Sequence, residues 1–322
     1  MGFQSAFGMR RLIVHGGAGR ITPEHGEEAL RGLRSALDAG WGEIDDATEA
    51  VTAAVRWMED SGSFNCGRGA VLNLRGRAEL DAAIVTGRGE AGGVSNLTWS
   101  PRAIAVARKV MEETPHVLLC GRGVDRFAKA MGFPKERIGT PARRKLYLEL
   151  RRDLDKGKDG RGRWSDGRPS RHPAWWIPLR RLVRKHPELL HGTVGAVALD
   201  AKGRLAAATS TGGIFLKMEG RVSDSSLVGC GTYADPDLGI SATGIGEVII
   251  RHMLTRSIAE RYRLRHEGLQ AAAERTIAQM PDDSVGIVAV DRKGRFAVAR
   301  NTSNIAWGSR SEGTSSVRWG LE

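Results

Sequence analysis

Two stretches of the chain, TVGAVALDAKGRLAAATST (193–211) and SVGIVAVDRKGRFAVARNT (284–302), match at many positions and share the turn DxKGR. Each is an apolar run, a turn and a second apolar run, and this constrains the fold more than any other feature. Aspartate, two residues and then glycine fits a three-residue hairpin loop with the glycine left-handed. That loop pairs Asp200 with Arg204 and, counting outward, sets Thr193 opposite Thr211 on one face of the sheet. Directly opposed side chains lie about 5 Å apart at Cβ, close enough for two hydroxyls to interact. The second hairpin opposes Ser284 and Thr302 in the same way, so spacing alone offers two hydroxyl pairs.

Around these hairpins the pattern alternates in blocks. Residues 10–19 read as a buried strand running into a glycine turn. Two helices follow, one ending at Gly40 and the other near Gly62. A glycine-rich loop and a hairpin occupy 63–87, and 100–115 reads as a helix with Pro101 in its first turn. A short strand (HVLLCG) and a short helix (GVDRFAKAMGF) come next. After the first repeat, helices are expected at about 243–264 and 267–280, and the second repeat is read as the last strand pair. Such blocks argue for a layered α+β fold or sandwiched sheets over a doubly wound parallel sheet.

Between about 137 and 191 the composition shifts to Arg, Lys, Gly, Pro and Trp, with little sustained periodicity. Its middle, DKGKDGRGRWSDGRPS (155–170), is the best candidate for disorder. Much of the formal net charge of +12 lies in this segment. A mixture of Arg and Trp can bind nucleic acid, but a solvated basic linker is the favoured reading. Hydrophobic residues make up 41% and charged residues 27% of the 322 residues, as in ordinary globular proteins. No run of about 18 apolar residues occurs, which argues against a membrane span. The N-terminus carries no apolar leader and fails the myristoylation pattern at Ala6, and Met9 is an alternative start, so a cytoplasmic location is expected. Cys66, Cys120 and Cys230 form no metal-finger spacing and read as buried reduced thiols.

The junction Gly192-Thr193 then stands out, because a turn-rich basic segment ends there and an apolar strand begins. A threonine hydroxyl is a weak nucleophile unless a base takes its proton. The chain contains no GxSxG elbow, HExxH or P-loop. Cleavage before Thr193 would free an α-amino group with a reference pKa of about 7.7–8.0, a base held on the nucleophile's own residue. Gly192, without Cβ, tolerates the strained backbone through which the hydroxyl could reach the preceding carbonyl. Ser284 follows Asp283 and lacks these aids. His15 and His191 are read as structural, since such a nucleophile needs no histidine.

HGTVGAVALD, ATSTGG, GRVSDSSLVGCGTYAD and ATGIGE resemble plant-type L-asparaginases, also called isoaspartyl peptidases, of the N-terminal-nucleophile hydrolases. The resemblance extends to IVHGGAG (13–19), SFNCGRGAVL (63–72), ELDAAIV (79–85), GGVSNL (92–97) and MEETPHV (111–117), and covers nearly all of the chain except the basic linker. It implies an αββα sandwich made of an α subunit (1–192, with the flexible basic linker at about 137–191) and a β subunit (193–322), together one domain. It further implies hydrolysis of L-asparagine and β-aspartyl dipeptides by Thr193, with Thr211 hydrogen-bonding the nucleophile. Arg221 and Asp224 would hold the substrate's α-carboxylate and α-ammonium, and Thr243 and the Gly244 N–H would form an oxyanion hole. Gly246 would line the pocket and Asn65 would stand by the cleavage site. Backbone carbonyls of Met58, Glu59, Ser61, Phe64, Cys66 and Arg68 would hold a structural Na⁺. No catalytic cofactor is implied, and two αβ units are expected to pair into an (αβ)2 homodimer, with neither membrane nor nucleic acid as partner.

The chain departs from the family pattern at four places. Ser223 and Ser226 flank Asp224 and Ser225 where Gly-Asp-Ser-Pro is usual, Ile245 replaces a threonine, and Arg68 stands where a small or apolar residue is usual. Two other readings stay open: a glycosylasparaginase-like or protein-specific aspartyl hydrolase of the same fold, and a non-catalytic polyanion-binding protein that uses the basic linker.

Overall fold

The computed structural model describes residues 9–19, 23–156 and 192–318. Strand β1 (Arg11–Gly19) leads into helices α1 (Pro23–Trp41) and α2 (Ala47–Ser61), the hairpin β2 (Leu80–Thr86) and β3 (Ala91–Leu97), helix α3 (Ala103–Glu113), strand β4 (Leu118–Cys120), and helices α4 (Gly121–Ala130) and α5 (Pro141–Lys156). The first repeat forms β5 (Val194–Leu199) and β6 (Leu205–Thr211). Then come β7 (Thr232–Ala234), β8 (Leu238–Gly244), and helices α6 (Gly246–His252), α7 (Leu254–Leu264) and α8 (Leu269–Ile277). The second repeat forms β9 (Val285–Asp291) and β10 (Phe296–Arg300), and the hairpin β11 (Asn304–Ser311) and β12 (Thr314–Arg318) follows. The chain is thus mixed α and β, with eight helices and two sheets among the described residues.

One sheet has eight strands in the order β12-β11-β1-β5-β6-β2-β3-β4, and the other has four in the order β10-β9-β8-β7. Alternation along each strand sorts the core. In β1, Leu12 and Val14 join an apolar cluster with Leu33 and Leu37 of α1, Val51 and Val55 of α2, and Ile104 of α3. Ile13, between them, joins Val197, Ala207, Val288 and Val290 in a cluster built from strands of both sheets. In the smaller sheet, Ile240, Ile287 and Ala289 pack with Val248, Leu254, Ile258 and Ile277 of the later helices.

Both repeats fold as hairpins in the register that their turns dictate. Leu199 pairs with Leu205 and Val194 with Ser210, and likewise Val290 pairs with Phe296 and Gly286 with Arg300. The aspartate sets each turn. Asp200 Oδ1 accepts from the N–H groups of Lys202 and Arg204 at 2.9 and 3.0 Å, and Asp291 Oδ1 accepts from those of Lys293 and Arg295 at the same distances. The glycine that closes each turn is left-handed, with φ 74° at both Gly203 and Gly294. The two hairpins nevertheless lie in different sheets.

Four expectations need correction. The segment read as linker from 137 contains α5, whose Leu150 is fully buried with Val71, Phe215 and Leu216 and whose Tyr147 hydroxyl donates to the Leu74 carbonyl at 3.2 Å. A run of charges hid its short apolar face, and 157–191 lies outside the described residues. Helix 243–264 is two helices broken at Met253 (φ 46°), and Thr243 and Gly244 belong instead to β8, paired with Gly286 and Val285. Pro101 precedes α3 rather than sitting in its first turn. The second repeat is not the last pair, since β11 follows it and pairs along β1. No described helix is long and apolar enough to cross a membrane.

Asp200 also accepts from Ala47 N–H at the start of α2 and pairs with Arg204 Nε at 2.6 Å, with its side chain wholly buried. Asp200→Ala removes the acceptor of the buried Ala47 N–H and of the turn N–H groups and should lower stability by about 3 kcal/mol. A urea denaturation midpoint checks this. Asp200→Asn, which keeps one acceptor oxygen, should lose less.

Candidate active site

Thr193 stands one residue before β5 and Thr211 ends β6, so the hairpin register brings them face to face. Thr193 Oγ1 donates to Thr211 Oγ1 at 3.2 Å, and the Gly213 N–H donates to the same Thr211 oxygen at 3.0 Å. The corresponding pair in the second hairpin does not form. Ser284 Oγ donates to the Pro281 carbonyl, and Thr302 Oγ1 donates to Asn304 O at 3.0 Å.

Close packing surrounds the Gly192-Thr193 junction. Gly192 has φ 150°, and a Cβ there would run into the side chain of Asn65. Gly17 (φ 114°) faces it, and a Cβ there would sit 2.9 Å from Gly192 N. Only glycine accepts such backbone under such crowding. Asn65 ties the glycine-rich loop to the turn after Thr211: its Nδ2 donates to Gly213 O at 2.7 Å, its Oδ1 accepts from Val71 N–H at 2.9 Å, and its carbonyl accepts from Gly212 N–H at 2.8 Å.

Asn65, Gly192, Thr193, Thr211, Arg221, Asp224, Thr243 and Gly244 line one cleft. Gly246 stands behind it, where a Cβ would lie 2.7 Å from both Arg221 Nη2 and Asp224 Oδ1. Its missing side chain is what lets the guanidinium and the carboxylate share this wall. Arg221 and Asp224 are not a surface pair. Asp224 is buried and the Arg221 side chain is 13% exposed, and the arginine's Nε donates to Glu247 Oε1 at 3.0 Å. Burial works against the Arg221 charge, but Glu247 beside it more than offsets this and holds the guanidinium protonated. Asp224 Oδ2 has no hydrogen-bond partner among the described residues. Burial pushes the Asp224 carboxyl up to about 7, with Arg221 opposing.

His15, on β1 behind β5, binds Ser241 Oγ through Nε2 at 2.8 Å. Full burial lowers its pKa to about 3, so the ring stays neutral. His191 lies outside the described residues.

Two groups that sequence reasoning passed over hold the cleft from below. Asp81, strand-paired with Thr211, accepts from Ser223 N–H and Asn96 N–H at 2.8 Å each. Lys217 is buried and donates to the Glu79 carbonyl at 2.9 Å, with burial lowering its pKa against the pull of Asp81. Their signal was present in the sequence, since each is a charge set inside an apolar run.

The carbonyls expected to hold a cation run from Met58, in the last turn of α2, through the glycine-rich loop to Arg68. A Cβ on Gly67 would collide with the Glu59 carbonyl oxygen, and one on Gly69 with those of Phe64 and Gly62, so the two glycines let the backbone pass close to these oxygens. The carbonyls of Met58, Phe64, Cys66 and Arg68 each accept one hydrogen bond, at 2.9, 2.9, 3.0 and 3.1 Å. Each keeps a second lone pair, and neutral oxygens suit a hard cation of low charge. The Arg68 side chain pairs with Asp60 and Glu136.

The family model described as asparaginase matches residues 9–318. A plant-type L-asparaginase of Pyrococcus abyssi is 41% identical over 320 residues, which cover 97% of this chain and all of that protein. One from Pyrococcus furiosus is 42% identical over 95% of this chain and 97% of its own. An isoaspartyl peptidase/L-asparaginase of Danio rerio is 35% identical over 94% of this chain and 92% of its own. With the match running from the first described strand to the last, and with these relatives covered almost end to end, the chain belongs to the asparaginase family.

Proposed function

We propose that the chain cleaves itself between Gly192 and Thr193 and then hydrolyses L-asparagine and β-aspartyl dipeptides. The observation that carries this reading is the Thr193–Thr211 hydroxyl contact at 3.2 Å, in a cleft shared with Arg221 and the buried Asp224. The similar proteins named L-asparaginase and isoaspartyl peptidase support the substrate class. The fold that goes with it is an αββα sandwich of the N-terminal-nucleophile type, cut into residues 1–192 and 193–322.

In the first reaction the Thr193 hydroxyl attacks the Gly192 carbonyl, and the crowded positive-φ backbone at Gly192 raises the ground state toward that geometry. The acyl group passes from nitrogen to oxygen, which frees the α-amino group, and water then hydrolyses the resulting ester to leave a carboxylate on Gly192 and the free Thr193 hydroxyl. In the second reaction that amine takes the hydroxyl proton as Oγ1 attacks the substrate's side-chain amide carbon. Thr211, which itself accepts from Gly213 N–H, orients the nucleophile. Thr243 and the Gly244 N–H steady the developing oxyanion, an effect of about 3 kcal/mol per donor in comparable sites. Ammonia or the amine leaves with the proton, and water then releases aspartate from the acyl-enzyme. Arg221 binds the α-carboxylate, Asp224 the α-ammonium, and Gly246 leaves room for both. Backbone carbonyls of Met58, Glu59, Ser61, Phe64, Cys66 and Arg68 would hold a structural Na⁺, whose charge would stiffen the loop that carries Asn65. The three free cysteines suit a reducing compartment, so a cytoplasmic location goes with the proposal.

Intact mass and a denaturing gel test the central claim. The purified protein should resolve into two chains divided at Gly192/Thr193 and should release aspartate from L-asparagine. Thr193→Ala should stay whole and inactive. A wild-type chain that never divides at this bond, or that divides and leaves both L-asparagine and β-aspartyl dipeptides untouched, sinks the reading.

The Asp224 carboxyl predicts a pH dependence of its own. Its pKa is raised to about 7, so the ionised form that holds an ammonium prevails only above that value. Inhibition by the product L-aspartate should therefore weaken as pH falls below 7, approaching about tenfold per unit. Succinate, which lacks the ammonium, should show no such loss. Inhibition constants measured on both sides of neutrality check it.

A further inference from the structure

Ser223 lines the cleft beside Thr193, Arg221 and Asp224 and is only 2% exposed, yet its Oγ has no hydrogen-bond partner among the described residues. Buried hydroxyls rarely go unmatched, because they forfeit their bonds to water without replacement. The backbone around Ser223 is tied down on every side. Its N–H donates to Asp81 Oδ2 at 2.8 Å, and Asn96 Nδ2 donates to the Arg221 carbonyl at 3.1 Å. Its φ of −88° and ψ of 169° are ordinary extended values, so the hydroxyl is not a by-product of strain. Ser226, three residues on, makes the contrast: its Oγ meets Ser95 Oγ at 2.7 Å.

The unmatched hydroxyl has an unmatched neighbour of opposite character. Asp224 Oδ2 accepts only and is also without a partner, whereas a serine hydroxyl can donate. Arg221 supplies the cation of this wall, but its Nε is already engaged by Glu247 at 3.0 Å. The Nε/Nη fork that would grip a carboxylate in two parallel bonds is therefore partly occupied. The Arg221 Nη groups remain for a carboxylate, and the unmatched Ser223 Oγ–H in the same cleft can add a further donor. A ligand meeting all three groups carries an ammonium for Asp224 and a carboxylate for Arg221 and Ser223, which is the head of an α-amino acid.

We propose that Ser223 is a substrate-binding residue whose hydroxyl donates to the α-carboxylate of the aspartyl substrate, as a second anchor beside Arg221. This rests on the aspartyl-amide reading of the cleft and deepens it. The bond persists from ground state to transition state, so it contributes to binding and leaves the chemical step alone.

The test compares the self-cleaved wild-type enzyme with Ser223→Ala at a pH above the Asp224 titration, using three inhibitors. L-Aspartate carries both α-groups, succinate lacks the ammonium and β-alanine lacks the α-carboxylate. In Ser223→Ala the inhibition constants of L-aspartate and succinate should rise about tenfold, and that of β-alanine should stay within about twofold. KM for L-asparagine should rise with them while kcat holds. Equal losses for all three inhibitors, or none, overturn the proposal. If Ser223→Ala fails to cleave itself, Ser223→Cys, with a similar volume and a weak donor, makes the same comparison with a smaller rise for the two carboxylates. A wild-type enzyme that neither turns over L-asparagine nor responds to L-aspartate fails the underlying reading and this inference together. A wild-type enzyme that does both, matched by Ser223→Ala, overturns the inference alone.

Discussion

The buried carboxylate of Asp200 decides which two hydroxyls meet at the far end of the β5–β6 hairpin. It binds the N–H groups of Lys202 and Arg204 and so fixes the turn, and a turn of fixed length fixes the register. A slip of one residue would turn Thr193 and Thr211 to opposite faces. The same carboxylate accepts from Ala47 N–H, so the hairpin is anchored to α2 as well as closed on itself. Strand β6 then carries the register sideways, because Thr211 pairs with Asp81 on β2 and Asp81 holds the loop that bears Ser223. The cleft is thus assembled by ladder pairing outward from one turn, and its polar side chains inherit their spacing from backbone hydrogen bonds.

Charge in the cleft wall follows a different logic. Arg221 and Asp224 are both desolvated, which is unfavourable for each ion unless a partner answers it. Glu247 answers Arg221. Asp224 has only the nearby guanidinium, and its pKa of about 7 expresses what is left unbalanced. This imbalance sits on the cleft wall, whereas the ionic contacts of Asp200 and Asp291 at the turns are already complete.

Much of this was legible in the sequence, and the exceptions have physical causes. The two DxKGR turns gave the hairpins and the Thr193–Thr211 opposition, since turn chemistry is local and strand register is arithmetic. The family motifs named the residues that line the cleft. Helix α5 escaped because Leu146 and Leu150 sit among charges, and the surface they cover, Val71 and Phe215, is assembled only in three dimensions. Strand β8 escaped because LGISATG is rich in small residues and flows into a helix start, so its pairing with β9 leaves no strong local mark. Strand β11 was hidden for the same reason: its partner β1 lies nearly the whole chain away. Asp81 and Lys217 were visible as charges in apolar runs, but only the fold shows what each of them holds.

The repeated hairpin shows how little of a site resides in its scaffold. Both copies close with the same aspartate, the same left-handed glycine and the same arginine, and both put a hydroxyl at the open end. In the second copy Asn301 Oδ1 takes the Ser284 and Val285 N–H groups at 3.0 and 2.9 Å, and the Ser284 hydroxyl turns away to Pro281. In the first copy the matching position is Ser210, whose hydroxyl points to Glu59 at 2.5 Å and leaves the strand start to the Thr211 hydroxyl. One side chain thus separates a capped strand end from an open one. Glycines at 17 and 192, which admit the crowded junction, complete the difference. What sets the Thr193 hydroxyl apart is that its neighbours leave it facing a cleft and give it one oxygen to lean on.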